Sequence, residues 1–116
     1  MFEYEIGKET YEFACKLGTT IRIKSKFNKP FNEMLKNMEN LDSPDLCKFL
    51  YCGLDESKHK LEDFQNNCYE NLGLMELYEL VQLFVKKIQY PNLSEEEIDR
   101  KLEEKNLKTE TGNSTK

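Results

Sequence analysis

The sequence predicts a mainly α fold of the α+β kind: an N-terminal β-hairpin, a compact bundle of about five to six helices, and a disordered C-terminal tail. Three observations predict it. Period-two alternation is confined to the first residues, and a series of apolar stripes at helical spacing follows, most of them bracketed by a cap or a stop. The end, "KTETGNSTK", is polar and has no period. No internal repeat and no Gly/Ser/Pro linker divides the 116 residues, so a single domain is expected over 1–106 with the tail over 107–116.

In the hairpin, "FEYEI" puts Phe2, Tyr4 and Ile6 on one face and Glu3 and Glu5 on the other; after "GKET", Tyr11, Phe13, Cys15 and Leu17 repeat the pattern. A lone two-stranded ribbon is marginal in water, so this apolar face must rest on helices or on a partner. "GTTIRIKSKFN" starts a short helix at Thr19 or Thr20, although Ile21 and Ile23 would also suit a strand. From Pro30, residues Phe31, Met34, Leu35 and Met38 form the i, i+3, i+4, i+7 stripe of a core-facing helix. "DSPDLCKFLYCGL" reads as a helix with Ser43 as N-cap, Pro44 at the first helical position and Gly53 as its stop, its apolar face being Leu46, Phe49, Leu50 and Leu54.

Leu61, Phe64, Cys68 and Leu72 mark the next helix, stopped by Gly73. "LMELYELVQLFVKKIQ" is the strongest: Leu74, Leu77, Tyr78, Val81, Phe84, Val85 and Ile88 make one broad stripe, widened by Leu80 and Leu83, as expected of a central helix. Pro91 ends it, and Lys86 and Lys87 suit the negative end of its dipole. The last helix opens with a capping box, Ser94 and Glu97, and carries only Leu93, Ile98 and Leu102 as anchors, so weak packing is expected.

Seventeen basic against 22 acidic side chains give a net charge of −5, which argues against tracking along a phosphate backbone and suits protein partners. "MFEYEIGKET" carries acids where a secretion signal needs a basic and then an apolar region. The longest apolar block, residues 80–85, is too short for a membrane span. Four cysteines then read as reduced thiols in a cytoplasm.

Three of those cysteines and the single histidine crowd together as Cys47, Cys52, His59 and Cys68. Structural zinc sites bring ligands in close pairs, whereas the gaps here are four, six and eight residues. On one helix Cys47 and Cys52 would diverge by about 140°, and Cys68 falls on the apolar stripe of its own helix. No metal site is expected, and no cofactor. A Cys–His nucleophile pair lacks an orienting group, and no phosphate loop or nucleophile elbow occurs, so no catalytic residue is assigned. The basic cluster of Arg22, Lys24, Lys26 and Lys29 reads as a solvated face; a nucleic-acid-binding regulator is the lesser alternative.

The order of elements resembles the tail assembly chaperones of siphophages and prophages of Gram-positive bacteria. The similarity is carried by "CKLGTTIRIKSKF" (Cys15 to Phe27), by "FLYCGLDE" (Phe49 to Glu56) and by "LEDFQNNCYENLGLMELYELVQLFVKKI" (Leu61 to Ile88), and covers roughly residues 10–90. The resemblance implies a non-enzymatic protein of the host cytoplasm, absent from the virion, that keeps the long helical tape measure protein soluble and recruits major tail tube protein. It also implies a longer product made by ribosomal frameshifting. A small protein-binding adaptor or regulator of a mobile element is the other reading. On the chaperone reading, helices 44–54 and 74–88 line the client surface through Phe49, Leu50, Leu77, Leu80, Phe84 and Ile88. Homo-oligomerisation through that surface or the hairpin edge is plausible.

Overall fold

The computed structural model describes residues 1–114, with side chains described through Glu104. The tail expected to be disordered, 107–116, lies outside the residues described in full. The hairpin forms as its alternation dictates. Strands β1 (Phe2–Ile6) and β2 (Glu9–Phe13) pair antiparallel in the register Phe2↔Phe13, Tyr4↔Tyr11, Ile6↔Glu9. Ile6, Tyr11 and Phe13 are buried, while Glu3, Glu5 and Glu12 face water. The two-residue turn is Gly7–Lys8, and Gly7 takes φ +62°, a left-handed conformation that glycine adopts without a Cβ penalty.

Among the described residues six helices follow: α1 (Leu17–Phe27), α2 (Phe31–Lys36), α3 (Ser43–Tyr51), α4 (Leu61–Asn71), α5 (Leu74–Gln89) and α6 (Glu95–Ser114), with a 3₁₀ turn at Met38–Asn40. Helix α1 begins earlier than Thr19. The Thr19 hydroxyl accepts from the Lys16 backbone N–H at 3.3 Å and donates to Ala14 O at 2.8 Å, so it ties down the first turn from inside the helix. The strand alternative for Ile21 and Ile23 is not taken: Ile23 is buried and Ile21 is exposed, as one turn of helix requires. Leu17 continues the helix rather than the hairpin face and is 80% exposed.

The start of α3 is also shifted by one residue. Asp42 is the N-cap, its Oδ1 accepting from Asp45 N at 3.1 Å, which moves Ser43 and Pro44 into the first turn. The capping box of α6 forms as expected, with Glu97 N donating to Ser94 Oγ at 3.2 Å. That helix is better held than its sparse stripe implies: Ile98 is fully buried, and Lys86 on α5 pairs with Asp99 at 2.7 Å.

Helix α5 is the centre of the fold, packing against α1, α3 and α6. Around it runs a continuous aromatic core in which Phe84 meets Phe13 and Phe49 edge-on, at 5.9 and 5.6 Å between ring centroids. The hairpin is locked onto α4: Asn67 Nδ2 donates to Ile6 O at 3.1 Å and to Tyr11 Oη at 2.7 Å, and Tyr11 packs edge-on to Phe64. The marginal ribbon is thereby stabilised by helices of its own chain.

Candidate binding site

The six residues expected to line a client surface are buried. Phe49, Leu50 and Phe84 are completely buried, Leu80 is 1% exposed, and Leu77 and Ile88 retain 5% and 7%. All belong to one core cluster with the hairpin aromatics, and Leu77 also reaches the wall of a surface cavity. The burial has a simple cause: a stripe as wide as that of α5 serves contacts with several neighbouring elements, and those neighbours cover it.

The cysteines and the histidine separate. Cys52 is buried at the end of α3 and its thiol lies 3.4 Å from Lys48 O. His59 sits in the α3–α4 loop, packs on the Tyr11 ring at 5.0 Å, and accepts the Tyr51 hydroxyl through its backbone oxygen. Cys47 and Cys68 meet thiol to thiol where α3 packs on α4. The sequence shows the cysteines of one helix diverging but not that two helices would bring this pair together. The Cys47 thiol and burial push Cys68 far above the ordinary thiol range, while burial raises Cys15 and Cys52 to about 11. Cys15, Cys52 and Cys68 are thereby held as neutral thiols, poorly suited to nucleophilic attack near neutrality, whereas the contact with Cys68 lowers the pKa of Cys47. No group of three or more potential metal ligands occurs among the described residues.

Among the described residues, exposed large apolar side chains fall in two places, besides Met1. On α1, Leu17 and Ile21 stand one turn apart. At the junction of α4 and α5, Tyr69 is 48%, Leu74 57% and Met75 68% exposed. Scattered exposed apolars are ordinary, but Tyr69 and Leu74 both line a surface cavity of about 210 Å³. Its walls include Cys47, Cys68, Leu72 and Leu77, with Tyr69 and Leu74 at the rim. The turn that shapes it is fixed by Glu76, whose carboxylate accepts the Gly73 N–H at 2.9 Å. Asp42 and Asp45 are near enough to Tyr69 to help burial hold its phenol protonated. The Glu76 carboxylate on Gly73 adds a third acid close to the cavity.

A larger cleft of about 540 Å³ lies between the hairpin and the α3–α4 loop, lined by Glu3, Glu12, Arg22, Asp55, Lys58 and His59 among others. Its charges are of both signs, and no serine or cysteine lines it. In the basic cluster, Arg22 and Lys26 both bind Glu56, at 3.1 and 3.0 Å, and Arg22 also donates to Leu54 O. Those two cations are thus taken up by the α3–α4 loop. Among the described residues no helix is long and apolar enough to cross a membrane. Comparison with protein families, with curated proteins and with solved structures yields no match.

Proposed function

We propose that this chain is a phage tail assembly chaperone, a protein without catalysis that binds and solubilises the tape measure protein and helps recruit tail tube subunits in the host cytoplasm. The observation that carries the proposal is the exposed pair Tyr69 and Leu74 on a surface cavity: a firmly packed helical body presents apolar side chains to water where α4 meets α5. A patch of this kind around a cavity is a feature of protein-interaction surfaces. The segments that carry the resemblance support the same reading. They coincide with α1, with the end of α3 at Gly53, and with α4 through α5, which includes the patch itself.

Co-expression with the tape measure protein encoded in the same genome tests it. The expected result is soluble tape measure protein that co-purifies with this chain. Tape measure protein that is equally insoluble with and without the chain overturns the proposal.

A further inference from the structure

We infer that the cavity between α3, α4 and the start of α5 is the docking site for a basic amphipathic helix, which seats one apolar side chain between Tyr69 and Leu74 and lays its cationic flanks over the surrounding acids. The inference rests on the protein-binding reading above but not on the identity of the client.

Size points to a side chain rather than to a small molecule. The cavity holds about 210 Å³, below the roughly 300–1,000 Å³ of small-molecule sites. Its lining is mostly apolar, with Leu72, Leu77 and the side chains of Cys47 and Cys68. Buried cysteines behave as small hydrophobes. Tyr69 and Leu74, which also line the cavity, extend the apolar surface outward to water. An apolar stripe on a partner helix meets such a surface with one anchor in the hole and its neighbours on the rim.

Charge selects the partner. Asp42 and Asp45 flank Ser43 and lie near Tyr69, the Glu76 carboxylate sits on the Gly73 N–H, and no lysine or arginine lines the cavity. A helix with lysine or arginine beside its apolar stripe is attracted, and an acidic one is repelled. The same acids disfavour a second copy of this chain on the patch, since two such faces would bring three carboxylates against three.

The chain contains no tryptophan, so a synthetic peptide can report its own burial. The probe is an amphipathic lysine–leucine helix with one tryptophan in its apolar stripe, and a control peptide replaces every lysine by glutamate. Expected are a blue shift of tryptophan emission with the lysine peptide, weakening of that binding as salt rises, and no shift with the glutamate peptide. Leu74→Ser should weaken binding about tenfold, as loss of an interface anchor does. Leu74 is solvent-exposed, so far-UV circular dichroism should stay unchanged. Asp45→Lys should weaken binding without altering a residue that lines the cavity. Equal binding by the Leu74→Ser variant, or by the glutamate peptide, overturns the inference. So does a dimer in sedimentation that Leu74→Ser dissolves, because a second copy would then own the patch. If the lysine peptide binds as described while co-expression leaves the tape measure protein insoluble, the docking site stands and the chaperone assignment falls.

Discussion

Gly53 offers the sharpest test of the core, because a single added methyl group has nowhere to go. A Cβ at this position would lie 2.6 Å from Cε1 and 3.1 Å from Cζ of Phe84, and 3.3 Å from the backbone oxygen of Ala14. Ordinary contact begins at 3.4 Å, so the ring would have to retreat by about 0.8 Å. It has no room to do so, being fully buried and held edge-on by both Phe13 and Phe49. The backbone is pinned as well, since Gly53 O accepts the Ala14 N–H at 2.8 Å and thereby ties the end of α3 to the hairpin. Overpacking of this kind costs about 1–3 kcal/mol. Alanine also restricts the unfolded chain, which returns about 0.4–1 kcal/mol. Gly53→Ala should therefore destabilise by about 1–2 kcal/mol, lowering the melting temperature by about 4 °C per kcal/mol.

The clash is with one ring, so a double-mutant cycle isolates it. Phe84→Leu is destabilising by itself but removes the edge that Cβ would strike. In that background Gly53→Ala should become neutral or slightly stabilising. Urea unfolding followed by far-UV circular dichroism measures all four corners of the cycle. A Gly53→Ala protein within about 0.5 kcal/mol of the parent, or an equal cost in both backgrounds, refutes the steric account.

Truncation of the central helix should behave as core loss: Leu80→Ala should cost about 2–5 kcal/mol and Phe84→Ala about 3–5 kcal/mol in the same unfolding assay, whereas Leu74→Ser should leave the midpoint nearly unchanged. The α3 cap is tested by a pair of substitutions. Asp42→Ala should cost about 1 kcal/mol and Ser43→Ala only a few tenths; the reverse order would restore Ser43 as the cap. Alkaline stability carries a sign fixed by burial. Cys15 and Cys52 are raised from 9.0 to about 11, so the fold favours their neutral form. The stability they contribute is fully present below pH 9.0 and is lost as pH rises through about 11. The urea midpoint should fall across that window, and less steeply in Cys15→Ala than in the parent.

What the sequence made legible divides along a physical line. Local pattern determines local geometry, and here it did so well: alternation fixes the strand register, and Ser94 with Glu97 forms the box that opens α6. Boundaries slipped where a cap depends on contacts the local pattern does not show. Thr19 has the right chemistry for an N-cap, but its hydroxyl acts from the third helical position because Ala14 O is there to receive it. The six expected contact residues are buried for a deeper reason. Periodicity says which face of a helix is apolar and is silent on whether another element covers it, so the broadest stripe, on α5, turned out to be the best covered. The opposite signal was present and is more diagnostic. Met75 lies on the same side of α5 as Glu79, Gln82 and Lys86, and Tyr69 on the same side of α4 as Glu62, Gln65 and Asn66. An apolar residue on a polar face has no core partner within its own helix pattern, so its burial must come from elsewhere or not at all. Leu74 joins them because it lies in the first turn of α5, where the stripe runs out past the elements that cover the rest. Tyr69 and Leu74 share a cavity because the α4–α5 turn at Gly73 folds one helix end against the other, with Cys47 and Cys68 lining it as well. A surface assembled from the ends of separate elements leaves only isolated exceptions in each element's own pattern. In this chain those exceptions, and not the strongest stripe, mark where a partner can bind.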